Sequence, residues 1–92
     1  MLKFAILGFL NYGGMSGYDI KTKMDTSTGY FWHANISQIY ATPKKLEADR
    51  LVTSGMVEQD TRPDRRVYQI TDTGRDELTE WLNTPHHGLD PR

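Results

Sequence analysis

A mostly helical α+β fold, with three helices, a two-stranded β-hairpin and then a fourth helix, is what this sequence predicts. Three observations lead there. Apolar residues recur at helical spacing in three stretches before residue 50 and in one after residue 71. Between them, two runs rich in Val, Tyr, Ile and Thr, at 51–59 and 66–71, flank a proline-bearing turn. The whole chain is 92 residues, about one small domain with a single modest core.

The first helix is Leu2–Leu10, almost wholly apolar and ending at Gly13-Gly14. A helix this apolar all round is normally covered on most sides. A domain this small covers one, so a partner subunit or further chain is expected on the other. Ser16 can cap the second helix, with Asp19 as a weak form of the reciprocal capping pattern. That helix runs from Gly17 to about Thr26, with Tyr18, Ile20 and Met24 as packing candidates.

After Tyr30-Phe31-Trp32, Asn35 and Gln38 look like a cap and its partner opening the third helix. On the wheel Ile36, Pro43 and Leu46 fall within ~60° of Ile39, an inward face. Ser37, Ala41, Lys44 and Ala48 lie opposite, flanked by Gln38 and Lys45. This outward strip carries two bases and no acid. Asp60–Arg65 is the hairpin turn, with Pro63 near its tip. Thr71 caps the fourth helix, with Asp72 at its positive end. Gly74, Leu78, Trp81 and Leu82 form its packing stripe, Gly74 permitting close approach, and Thr84-Pro85 ends it. Residues 1–82 thus form the domain, and 83–92 read as a linker or the start of a C-terminal helical dimerisation region.

Composition removes several classes of function. There are no cysteines, hence no disulfide and no thiolate ligand or nucleophile, which suits a reducing compartment. The apolar start is too short for a membrane span of ~20 residues and lacks a signal peptide's flanks. The expectation is a soluble, cytoplasmic protein without membrane attachment. No catalytic constellation, phosphate loop or cofactor motif is recognisable. His86-His87 lacks a third ligand at metal spacing, and His33 stands alone beside an aromatic run.

Net charge is −1 and gives no hint of a polyanionic partner; its distribution does. Residues 1–66 carry nine bases and seven acids, and 67–92 two bases and five acids. Three helices followed by a hairpin with a basic tip describe a winged helix-turn-helix. A helix fits the ~12 Å major groove of DNA, and a hairpin beside it reaches an adjacent groove or phosphate row. The strip offers Ser37, Gln38, Lys44 and Lys45, and the wing Arg62, Arg65 and Arg66. The plainer reading is a solvated polar face and an ordinary charged turn, since Glu58, Asp60 and Asp64 dilute the wing.

The residues themselves then resemble a family. Leu7–Leu10 with Met15-Ser16-Gly17-Tyr18-Asp19-Ile20-Lys21 looks like the opening of PadR-type transcriptional regulators. Tyr30 to Tyr40 and Arg62-Pro63-Asp64-Arg65-Arg66-Val67-Tyr68 continue the likeness, and Gly74 with Trp81-Leu82 completes it. The resemblance covers essentially residues 2–82. It implies a homodimeric repressor that binds double-stranded DNA at an inverted-repeat operator and often answers to a small aromatic or hydrophobic effector. Carried over position by position, it places Ser37, Gln38, Tyr40, Ala41, Lys44 and Lys45 on the DNA from the third helix. Arg62, Arg65 and Arg66 come from the wing, and Tyr18 and Lys21 contact backbone phosphate. Tyr40 has two readings, a packed ring or a hydroxyl on phosphate.

Two departures from the family pattern stand out. Pro43 replaces an apolar helix former and removes the bond to the Ile39 carbonyl, so a kink is expected. Arg50 occupies a position where the family commonly has Gly, at a helix end where φ turns positive, so strain is expected. Such proteins dimerise through helices after the winged domain, and nothing here follows Pro91-Arg92. The chain is therefore expected to be a DNA-binding portion, or to dimerise through its first and fourth helices. The competing readings are a winged-helix protein-interaction module without DNA binding, and a small ligand sensor. For the sensor, Tyr30, Phe31 and Trp32 could line the pocket, although such a cluster is more often core.

Overall fold

A computed structural model describes residues 2–27, 36–61 and 63–84. The elements in chain order are α1 (Leu2–Leu10), β1 (Met15–Ser16), α2 (Gly17–Ser27), α3 (Ile36–Ala48), β2 (Val52–Val57), β3 (Arg65–Ile70) and α4 (Asp72–Asn83). The expected α+β, mostly helical architecture is present, with one addition. The hairpin β2–β3 gains a third antiparallel strand, giving the order β1-β3-β2. Met15 pairs with Tyr68 and Ser16 with Val67. A two-residue strand carries no periodicity, so the sequence pattern could not announce it.

α1 packs against α2, α3, α4 and β3. Its Ile6, Leu7 and Leu10 meet Ile20 and Met24 of α2, Ile39 and Leu46 of α3, Tyr68 and Ile70 of β3, and Leu78 of α4 in one core. Phe4 stacks on Trp81 with ring centroids 4.6 Å apart, and Lys3 pairs with Glu77, closing α1 against α4. Three expected core residues are exposed instead: Tyr18 at 66%, Ile36 at 52% and Leu82 at 63%. Tyr18 and Ile36 stand at the first turns of their helices, and Leu82 at the last, where the stripe runs past the edge of the core. The proposed Asn35 cap, the Tyr30–Trp32 cluster, His33, His86-His87 and the segment after Thr84 lie outside the described residues.

Both departures, Pro43 in α3 and Arg50 just after it, have visible consequences. The helix runs unbroken from Ile36 to Ala48 through Pro43, whose ring is fully buried on the inward face with Ile39 and Leu46. Just before it, the Thr42 hydroxyl donates to the Gln38 carbonyl at 2.7 Å. Pro43 therefore does not end the helix, and its ring packs into the core. Arg50 has φ 64°, as the family comparison of that position implies.

The end of α3 is a Schellman turn. The Leu51 amide donates to the Leu46 carbonyl at 2.9 Å and the Arg50 amide to Glu47 at 3.0 Å. Leu46 and Leu51 are both buried, supplying the apolar contact such turns use. The Leu51 carbonyl then accepts from the Thr71 amide and the Thr71 hydroxyl, each at 3.0 Å. The same hydroxyl caps α4 by accepting from the Gly74 amide at 3.0 Å. α4 thus starts directly against the corner where α3 turns into β2.

Two substitutions test this corner. Arg50→Gly relieves a left-handed conformation that costs a Cβ-bearing residue ~1–2 kcal/mol, and is expected to raise stability by about 1 kcal/mol in urea unfolding. A Cβ at Gly74 would lie 2.2 Å from the Leu51 carbonyl oxygen and 2.8 Å from an Ile70 side-chain carbon. Gly74→Ala is therefore expected to lower stability by about 1–3 kcal/mol, because the obstacle is backbone.

Candidate nucleic-acid interface

Helix α3 rests its Ile39–Pro43–Leu46 face on the core, so its opposite face turns outward. Ser37, Gln38, Ala41, Lys44 and Lys45 are all exposed, as the periodicity requires. Beside this strip, α2 and the wing complete a groove of about 700 Å³. Tyr18, Tyr40, Lys44, Gln59, Arg65 and Arg66 line it, which brings together five of the residues singled out from sequence. Ser37, Gln38, Ala41 and Lys45 lie on the exposed strip rather than in the groove lining, Lys21 sits on α2, and Arg62 is outside the described residues.

Each position has a local cause. Gly17 opens α2 directly under the Tyr40 ring: a Cβ there would come within 2.6 Å of a ring carbon. Glycine at 17 lets the ring lie against the start of α2 while 38% of the residue stays exposed. Both readings of Tyr40 are thus compatible, a packed ring with an accessible edge. Tyr18, next along α2, projects into solvent.

The capping box at α2 is complete. The Asp19 amide donates to the Ser16 hydroxyl and the Ser16 amide to the Asp19 carboxylate, both at 3.1 Å. The same carboxylate oxygen accepts from Arg65 Nη1 at 2.9 Å, joining residues 46 apart. The Ser16 amide and hydroxyl, helped by Arg65, hold the Asp19 carboxyl below the usual carboxylate range against a partial desolvation. On the other side of the wing, Arg66 Nη1 donates to the Ser54 hydroxyl, which donates to the Glu47 carboxylate, both at 2.8 Å. At the wing's outer end, the Gln59 amide donates to Asp64 at 3.3 Å and its side chain to the Pro63 carbonyl at 3.2 Å.

Arg65 and Arg66 are therefore not loose charges on a turn, as sequence alone portrays them. Arg65 lies in β3 rather than in the loop, and both guanidiniums are tied back to the helices. As parts of this face, Asp19, Glu47, Ser54 and Gln59 were not singled out from sequence. The capping pattern around Asp19 was visible; its second partner, 46 positions on, was not.

Charge sorts along this face. Lys21 is held charged by Asp25 at 2.8 Å, and Lys3, Arg65 and Arg75 each have a carboxylate. Lys44 and Lys45 have none among the described residues. Cations lacking an internal counterion on an exposed helix face suit an external polyanion. Burial pushes the pKa of the Tyr68 hydroxyl, which also lines the groove, upward.

A winged helix-turn-helix, with α2 and α3 as the paired helices and β2–β3 as the wing, is the class this geometry defines. Residues 6–80 match the transcriptional regulator PadR-like family, and the chain belongs to it. The family is one of transcriptional regulators rather than enzymes. The chain is 43% identical over 82 residues to the negative transcriptional regulator PadR of Bacillus subtilis, covering 89% of this chain and 45% of that protein. It superposes on that protein's crystal structure in complex with operator DNA with TM-score 0.85 and 41% identity, over 92% of this chain and 48% of the other. Against the same protein in complex with p-coumaric acid the TM-score is 0.77 at 38% identity, over 99% and 45%. The chain thus spans about half the length of the relatives it matches.

Acid titration tests the contribution of the Asp19 charge. A carboxyl whose folded pKa is depressed adds stability in full above its unfolded value and loses it as pH falls through the folded one. Asp19 starts from an ordinary value of 3.8. The stability gap between the wild type and Asp19→Asn, read as urea midpoints, is expected to hold at neutral pH and to shrink only below about pH 4. A gap that shrinks near pH 6 would assign the effect to another group.

Proposed function

We propose that this chain is the DNA-binding part of a transcriptional repressor, with α3 in the major groove and the wing along the phosphate backbone. The observation that carries the reading is the exposed strip of Ser37, Gln38, Ala41, Lys44 and Lys45, whose two lysines have no carboxylate partner among the described residues, set beside Arg65 and Arg66 of the wing. Its support is membership of a regulator family and similarity to a relative crystallised with operator DNA.

The roles follow from chemistry. Gln38 and Ser37 present hydrogen-bonding groups suited to base edges, and Ala41 keeps the helix close to the groove floor. Lys44, Lys45, Lys21, Arg62, Arg65 and Arg66 meet phosphates, and the hydroxyls of Tyr18 and Tyr40 add neutral contacts. Homodimerisation on an inverted-repeat operator belongs to the same proposal. It is supported by α1, whose Leu2, Phe4 and Phe9 are only partly covered, and by Leu82 at the neighbouring end of α4. Release by a small aromatic or hydrophobic effector is proposed for the whole protein, since the Bacillus relative was crystallised with p-coumaric acid. Such a protein works in the cytoplasm, where its DNA is; among the described residues no helix is long and apolar enough to cross a membrane.

Fluorescence anisotropy with duplexes from upstream of its own gene, at two salt concentrations, tests the reading. Lys44→Ala is expected to weaken binding to every sequence and to reduce the log–log salt slope by about one. Gln38→Ala is expected to reduce discrimination between operator and random DNA by about 1–3 kcal/mol. Equal losses on both DNAs would remove Gln38 from base reading. Weak, salt-insensitive binding by the unmodified chain would favour a protein-interaction module.

A further inference from the structure

We propose that Asp19 is a positioning residue that sets the wing against the helix-turn-helix, trading affinity for sequence discrimination. This inference rests on the DNA-binding reading above. The third strand pairs with β3 only at Val67 and Tyr68, so beyond Val67 the wing is a two-stranded ribbon. Such ribbons twist strongly and are marginal without support. Support enters at the point where β1 stops, and it comes from side chains. Arg65 is fastened to the start of α2 through Asp19, and Arg66 to α3 through Ser54 and Glu47.

The Asp19 carboxylate is in turn fixed by the Ser16 amide, and Ser16 is the β1 residue that pairs with Val67. The ion pair therefore closes a ring through Ser16, Val67, Arg65 and Asp19 that ties wing direction to helix direction. The α2 cap accounts for a carboxylate at Asp19, but not for its bond to Arg65, and an exposed ion pair of this kind contributes little to stability. Beside a phosphate row the carboxylate repels, and it occupies part of Arg65. What it supplies is geometry: α3 and the wing must meet the duplex in one fixed relation for Gln38 to register with base edges.

The probes are a duplex that the unmodified chain selects from a random pool and a scrambled duplex of the same composition. Asp19→Asn keeps an acceptor for the Ser16 amide, so α2 retains its cap. It is expected to hold or tighten binding to the scrambled duplex, with a salt slope steeper by up to about one. The selected-to-scrambled ratio is expected to fall about threefold to tenfold. Asp19→Glu, which keeps the carboxylate and the capping box, restores that ratio. Arg65→Gln lowers the ratio on its own, and adding it to Asp19→Asn lowers it no further. An unchanged ratio in Asp19→Asn, or effects that simply add in the double variant, overturns the proposal. Should the unmodified chain select no duplex, the DNA-binding reading itself fails, an outcome distinct from either.

Discussion

The corner at Arg50–Leu51 is the constraint on which the rest of this domain depends. One peptide group there ends α3, starts β2 and receives α4. The Leu51 amide satisfies a carbonyl of α3, and the Leu51 carbonyl accepts from the Thr71 amide and shares the Thr71 hydroxyl with the Arg50 carbonyl. Gly74 exists to let α4 come within reach of that carbonyl. The left-handed Arg50 is the strained element, held because the Schellman bonds, the buried pair Leu46 and Leu51 and the Thr71 hydroxyl on the Arg50 carbonyl all require the same turn.

From that corner the binding face follows. With α3 ending there and its inward face buried up to Leu46, the outward strip has one direction to face. With β2 starting there, the hairpin must run back alongside α3, and residues toward its loop end come within reach of both helices. Arg65 and Arg66 then find Asp19 and, through Ser54, Glu47. Tyr40 completes the seam by lying on Gly17, so α2 and α3 meet with an aromatic ring between them. The face is consequently one assembled surface, with its helices and wing joined by direct contacts.

Much of this was legible in the residues. Helical spacing placed Ile39, Pro43 and Leu46 inside and Ser37, Lys44 and Lys45 outside, because a helix on a core has only one angular choice. Ser16, Asp19, Thr71 and Gly74 were legible for a related reason: caps and close approaches are local demands that few residue types meet. Ile36, Tyr18 and Leu82 were misread because a wheel has no ends, while the core they were assigned to does. The third strand was hidden in two residues whose only strand-like property is a partner more than 50 positions away.

Local chemistry along the chain was thus enough to determine the type and order of the four helices and the hairpin, the caps of α2 and α4, and which side of α3 meets solvent. Those properties depend on neighbours within a few residues, where spacing and side-chain type act directly. Tertiary structure alone decided that Arg65 and Arg66 are braced, that Tyr40 lies over Gly17, and that β1 joins the sheet. Each of these is a contact between distant segments whose approach is set by how the core packs.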